Sequence, residues 1–264
     1  MKTYSLVAAV SLIAACGVSV RADSYNISLM GGGSYNFVAN ELNFPTGNYV
    51  SNVLHSLPPE DSVLKFNAAK QQFYTAQPSD TLNPGEGAVV MHISSYPFFT
   101  FNGTQATSQP PLTLVPGQYQ LVGRRSGGLG PSTYDDLVGA PPVEGATLLL
   151  WSPAVQDYVY YSYHGGQWNG PGGSSTAPVV SKGTSAFVVL QPALALTNGT
   201  GNEIILKWTA PSAWTLEKAA DLAGPWTTVT NASSPHSVQP AQDKEFYRLH
   251  GGLVPPDFIS ILSR

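Results

Sequence analysis

The segment from Ser34 to about Gly103 is written a second time, in altered form, from Gly117 to about Gly199. The first copy opens Ser34-Tyr35-Asn36-Phe37-Val38-Ala39-Asn40 and the second Gln118-Tyr119-Gln120-Leu121-Val122-Gly123-Arg124. Val63-Leu64-Lys65-Phe66 answers to Leu148-Leu149-Leu150-Trp151, and Phe73-Tyr74 to the aromatic run Tyr158 to Tyr161. Gly85-Glu86-Gly87-Ala88-Val89-Val90 answers to Gly183-Thr184-Ser185-Ala186-Phe187-Val188. The offset grows from about 84 to about 98 residues, and the growth falls in the Gly-rich stretch His164 to Ser175. A repeat of this period predicts two similar supersecondary units packed against each other.

Each copy carries the same signals in the same order. An alternating strand is followed by a short helical or irregular stretch ending at Pro58-Pro59 or Pro141-Pro142. A strand with an aromatic end, a hairpin partner, a Gly-marked turn and a closing apolar strand complete the unit. Asn83-Pro84-Gly85 suits a type II turn, because Pro presets φ at the second position and Gly accepts positive φ at the third. With 26 Gly, 22 Pro and only 11% charged residues, short strands joined by tight turns are favoured and disorder is not. The expected fold is all-β, with the repeat at 23–192 forming a two-sheet sandwich or a barrel.

The third segment differs in kind. Strands are expected at Ile204–Trp208, Trp214–Ala219, Trp226–Val229, Ser237–Val238 and Phe246–Leu249, a spacing typical of a sandwich. Trp208, the run Leu216-Glu217-Lys218-Ala219-Ala220-Asp221, Gly224-Pro225-Trp226 and Phe246-Tyr247-Arg248-Leu249 resemble a truncated fibronectin type III domain over 193–250. The tail at 251–264 departs from that family, since Pro255-Pro256 interrupts any last strand. Phe37-Val38-Ala39-Asn40-Glu41-Leu42-Asn43 and Leu82-Asn83-Pro84-Gly85-Glu86-Gly87 are similar to a repeated module of exported bacterial β-rich proteins. These resemblances imply architecture and export, not an activity.

The N-terminus reads as an export signal over 1–22: Lys2, an apolar stretch from Leu6 to Val20, and small residues before a cut after Ala22. The alternative is a lipobox at Ile13-Ala14-Ala15-Cys16-Gly17, which would make Cys16 a lipidated N-terminus. Either route predicts a secreted, periplasmic or cell-surface protein with no membrane span after processing. Cys16 is the only cysteine, so disulfides, thiolate nucleophiles and Cys-ligated zinc are excluded from the mature chain. Loss of Lys2 and Arg21 leaves ten bases against sixteen acids, a net charge near −6. Nucleic acid is therefore not an expected partner.

Catalytic signatures are absent from the sequence. The five histidines show no metal-ligand spacing, no Gly-x-Ser-x-Gly elbow occurs, and no cofactor or metal is expected. The acid pairs Glu60-Asp61 and Asp135-Asp136 are expected to be solvated or helix-capping. Arg124-Arg125, which replaces Asn40-Glu41, is expected at a loop rim. Asn102-Gly103-Thr104 and Asn198-Gly199-Thr200 match glycosylation acceptors, which matter only in a eukaryotic secretory route; on the bacterial resemblance their Asn-Gly pairs read as turns. The one binding candidate is the hairpin Tyr158-Val159-Tyr160-Tyr161-Ser162-Tyr163 with Trp168 beyond it. Tyr161, Tyr163 and Trp168 would form a flat platform for sugar rings, whereas cross-strand packing accounts for the same residues without a ligand. The expected function is a non-catalytic structural or adhesive role at the cell surface or envelope. A surface polysaccharide or another envelope protein is the expected partner, with carbohydrate binding through the hairpin as the alternative.

Overall fold

A computed structural model describes residues 22–94, 98–201, 203–210, 214–239 and 245–251. The expected export signal as far as Arg21, Cys16 within it, and the tail from Gly252 lie outside the described residues. The fold is an all-β sandwich, and no sheet among the described residues closes into a barrel.

The first unit runs β1 (Ala22–Ser28), β2 (Ser34–Ala39), β3 (Leu42–Asn43), α1 (Val50–Val53), β4 (Ser62–Asn67), β5 (Gln72–Thr75), β6 (Gly87–His92) and β7 (Phe98–Gln105). Four of these strands form an antiparallel sheet in the order β2-β6-β4-β5, and a second sheet is ordered β1-β7-β3. The second unit runs β8 (Gln120–Val122), α2 (Tyr134–Val138), β9 (Ala146–Ser152), β10 (Asp157–His164), β11 (Gln167–Asn169) and β12 (Ala186–Leu190). Its sheet is ordered β8-β12-β9-β10-β11. This is the order of the first sheet with one edge strand added. The rungs match as well: Phe37 lies opposite Val89 as Leu121 lies opposite Phe187, and Phe66 opposite Phe73 as Trp151 opposite Tyr158.

Side-chain alternation along these strands divides the core. Phe37, Leu64, Phe73 and Val89 of the first sheet pack against Tyr119, Leu121, Leu149, Trp151 and Phe187 of the second. Phe187 is the hub: its ring meets Phe37, Phe66, Phe73, Tyr119 and Tyr158 at centroid distances of 4.9 to 6.1 Å. The intervening residues face outward. Val38, Ala88 and Val90 meet α1 and the β1-β7-β3 sheet, while Val122, Ala186 and Val188 meet α2.

Two glutamines bolt the sheets together reciprocally. Gln71 and Gln156 occupy the same place in the β4–β5 and β9–β10 hairpins, each with positive φ (53° and 51°). The Gln71 amide exchanges hydrogen bonds with the backbone of Tyr119, accepting from its N–H at 2.8 Å and donating to its carbonyl at 3.1 Å. Gln156 accepts from the N–H of Tyr35 at 2.9 Å and donates to its carbonyl at 3.5 Å. Each hairpin thus supplies hydrogen bonds to an edge strand of the opposite sheet, Gln156 to β2 at Tyr35 and Gln71 to Tyr119 at the start of β8.

The two Gly-marked turns are reciprocal too. Asn83–Glu86 and Ser181–Thr184 are closed by hydrogen bonds of 2.9 and 3.0 Å, with Gly85 and Gly183 at φ +83° and +70°. The Ala39 N–H donates to the Gly183 carbonyl at 2.7 Å, and the Gly123 N–H donates to the Gly85 carbonyl at 3.0 Å. Residues paired by the sequence alignment therefore meet each other. A Cβ on Gly123 would stand 2.2 Å from the Cβ of Ala39, and one on Gly87 2.6 Å from that of Ser185. At each meeting point one member is glycine and the other carries a Cβ.

The units part company at their last strands. β7 folds back between β1 and β3, but its expected counterpart, β13 (Leu194–Asn198), joins the third segment. That segment continues with β14 (Ile204–Trp208), β15 (Thr215–Ala219), β16 (Thr227–Thr228), β17 (His236–Val238) and β18 (Phe246–His250). It forms two three-stranded sheets, β13-β14-β17 and β16-β15-β18. Leu206, Leu216 and Ala219 are its buried apolar side chains among the described residues. Asn102-Gly103 is not a turn. It lies within β7, where a Cβ on Gly103 would come 2.5 Å from the Asn43 carbonyl oxygen.

Candidate functional site

The aromatic hairpin is built into the core. Tyr158 points between the sheets, edge-on to Trp151 at 5.0 Å and Phe37 at 5.9 Å. Trp168, opposite Tyr163 across β10 and β11, is only 7% exposed. Its ring lies 5.3 Å from Tyr163 and 5.4 Å from Tyr134 of α2. Tyr161 and Tyr163 are half-buried against the same cluster, and burial pushes the Tyr134 hydroxyl up to about 12. These rings clamp α2 and β11 to the sheet, so the face expected to stack on sugar is occupied by protein. Tyr160, on the same face of β10 as Tyr158 and 6.5 Å from its ring, is 47% exposed. The segment expected as an enlarged loop contributes β11, and Trp168 on that strand closes the cluster.

The expectation for Glu60-Asp61 needs correction. The Asp61 side chain is fully buried and lies 2.6 Å from His92 Nδ1, while its other oxygen accepts the Ile93 N–H at 2.9 Å. His92 Nε2 lies 3.3 Å from the Ser94 hydroxyl. Sequence separation hid this cluster: 31 residues divide the acid from the imidazole, and only strand pairing brings them together. Asp136 does cap α2, where it completes a capping box with Thr133. Burial disfavours its charge, but the Ser126 and Thr133 hydrogen bonds and the Arg124 guanidinium outweigh that and hold it below the usual carboxylate range.

Arg124 and Arg125 are not rim substitutions. Arg124 pairs with Asp136 at 3.2 Å and donates to the carbonyls of Gly127 and Pro131, fixing the loop between them. Arg125 donates to the Pro110 carbonyl at 3.0 Å. Their counterparts act at the seam. Asn40 donates to the Leu82 carbonyl at 2.7 Å, and buried Glu41 accepts the Gly183 N–H at 2.8 Å. Burial raises the Glu41 carboxyl, and the Gly183 N–H and the Arg124 and Lys182 cations only partly offset it.

A cleft of about 390 Å³ opens at this seam. Asn26 to Ser28 of β1 with Leu29 beyond it form one wall, Asn36 to Val38 of β2 the floor, and Trp151 with the turn Ser181–Thr184 the other wall. Asn36 is spent structurally, bonding the Met30 N–H and the carbonyls of Met30 and Ser34. The Trp151 indole N–H donates to the Tyr35 carbonyl at 2.7 Å. A wider groove of about 490 Å³ lies where the second sheet meets the third segment, lined by Glu144, Gln191, Lys207 and Trp208. No helix among the described residues is long and apolar enough to cross a membrane. No protein-family model, curated protein or solved structure matches the chain.

Proposed function

We propose that this is an exported protein of the cell surface or envelope with a structural or adhesive role and no catalysis. The observation that carries the reading is the reciprocal bolting of the two repeat-bearing sheets, through Gln71, Gln156 and a shared aromatic core, into one block. Such a block is suited to hold surfaces at a fixed spacing rather than to open and close around a substrate. The matching strand orders of the two sheets, which differ by one added edge strand, and their corresponding rungs support descent of 23–192 from a duplicated module. In the third segment, the first, second and fifth strands share one sheet and the third, fourth and sixth share the other. Apart from the place of the fourth strand, that division is the one found in immunoglobulin-like sandwiches, and it supports the fibronectin type III-like reading of 193–250.

The signal-like N-terminus supports export, with cleavage after Ala22 or lipidation at Cys16 as its two routes. The partner is a surface polysaccharide or another envelope protein. Fractionation of producing cells, with protease treatment of intact cells and mass spectrometry of the mature N-terminus, tests the reading. Processed protein in the periplasmic, surface or secreted fraction is expected, and unprocessed protein in the cytosol would sink it. For the role itself, deleting the protein should alter envelope integrity or attachment; wild-type behaviour in both would count against it.

A further inference from the structure

The seam cleft combines features that scaffolding does not require. Its cation, Lys182, sits at the second position of the Ser181–Thr184 turn, and that turn is immobilised. Gly183 rests directly on β1, where a Cβ would come 2.5 Å from Ile27 and 2.6 Å from the Tyr25 ring. Its N–H is held by Glu41 and its carbonyl by Ala39. Lys182 Nζ lies 5.0 Å above the Tyr25 ring, and no carboxylate among the described residues is within ion-pair distance of it. The cleft thus presents a positioned ammonium group that is in no ion pair among the described residues, with the buried Glu41 carboxyl acting on it only at longer range.

The polar groups around it are neutral. Ser181 and Thr184 of the turn add hydroxyls, while Ile27 and Trp151 supply apolar surface. Asn26 alternates with buried Tyr25 and Ile27, and its side-chain oxygen accepts from the Thr100 hydroxyl at 2.7 Å on the opposite face of β1. The arrangement is one-sided. In the first unit's turn, Pro84 stands where Lys182 stands, and Glu86, paired with Lys65 at 3.1 Å, stands in the place of Thr184. β1, which forms one wall, precedes the repeat and has no aligned counterpart in the second unit.

A concave site with an aromatic and aliphatic wall, a few convergent polar groups and one fixed charge is built for a small polar ligand of opposite sign. Hydroxyl groups beside an apolar wall suit a sugar ring, which has polar edges and an apolar face. The net charge of −4 for the whole chain opposes general attraction of polyanions, so selectivity must come from the local cation. We infer that the cleft between the two sheets binds an anionic saccharide unit, with its charged group on Lys182, its hydroxyls on Ser181 and Thr184, and its ring against Ile27 and Trp151. The inference does not depend on where the protein resides, so it stands or falls separately from export.

Titration calorimetry on the purified protein at physiological salt tests it, with trigalacturonate, a sulfated galactose trisaccharide and neutral galactotriose as probes. At least one charged trisaccharide should bind, at least about tenfold more tightly than the neutral one. Which charged probe wins separates uronate from sulfate ester recognition. Lys182→Gln should lose about tenfold or more in affinity with the melting temperature retained, and Lys182→Arg should keep most of it. Thr184→Ala should weaken binding several-fold. Absence of binding by both charged probes, equal binding of the neutral one, or unchanged affinity in Lys182→Gln would overturn the assignment.

Discussion

The two units keep one sheet and differ in what covers it. In the first, the outer face is roofed by strands: Tyr25 and Ile27 of β1 and Phe99 and Phe101 of β7 pack over Val38, Ala88 and Val90. In the second, β13 has gone to the third segment, and the same outer positions are covered by Tyr134, Leu137 and Trp168 together with Val180. The inner faces, which meet each other, keep matching rungs. A surface that packs against a near-copy of itself leaves little room for change, because any shift on one side has to be answered on the other. The outer faces answer only to their own covers and carry different residues.

The sharpest way to break this correspondence is at the hub. Phe187→Ala removes a fully buried ring that touches both sheets and should cost about 4 kcal/mol. The aligned Val89→Ala, equally buried but smaller, should cost about 2 kcal/mol. Urea unfolding of the two variants measures the difference, and equal losses would deny Phe187 its central place. At the meeting point of aligned residues, Gly123→Ala should cost about 2 kcal/mol through collision with Ala39. Adding Ala39→Gly should recover most of that loss, since the pair is then only exchanged. A double variant as unstable as the single one would mean that the collision is not with Ala39.

The glutamine bolts sharpen the comparison rather than break it. Gln71→Ala and Gln156→Ala should each cost about 1–2 kcal/mol and agree within about 0.5 kcal/mol. A large difference between them would show that the two seams are not mechanically equivalent. The smallest effects are in the pH response, where the units carry opposite signs. The Glu41 carboxyl is raised by burial, so the folded state holds its proton longer than the unfolded state, and stability falls as pH rises from the ordinary carboxylate range through the raised value. Asp136 is depressed, so its contribution is present above the ordinary range and is lost as pH falls through the lowered value. Thermal unfolding across pH should show a flatter profile on the alkaline side of that range for Glu41→Gln, and on the acid side for Asp136→Asn.

Much of the scaffold was legible because it is periodic and local. The Asn83-Pro84-Gly85 turn, the strands of both sheets and those of the third segment follow from alternation and turn chemistry. The features that lock the molecule were not legible. Gln71 and Gln156 look like ordinary hairpin residues, and their partners lie 48 and 121 positions away. Asp61 reads as a surface acid until β4 and β6 bring it to His92. Trp168 reads as an exposed platform because sequence alone does not reveal that α2 lies over it. A clue was available for the glutamines: they align with each other one hairpin apart, at positions where packing gives no reason for an amide. The seam cleft was less accessible still, since its wall β1 stands outside the repeat.

The shared inner face also sets an order of events for a chain that emerges N-terminus first. Phe37, Leu64, Phe73 and Val89 find their apolar partners on strands that end at Leu190. Until β12 is out, the first sheet presents an uncovered aromatic surface and an edge at Tyr35 without the amide of Gln156 to hold it. Contacts so distant along the chain form slowly, and partly emerged chains with such a face are prone to stick to one another. Successful production therefore depends on keeping the first half from associating with its neighbours while the second half is still being delivered.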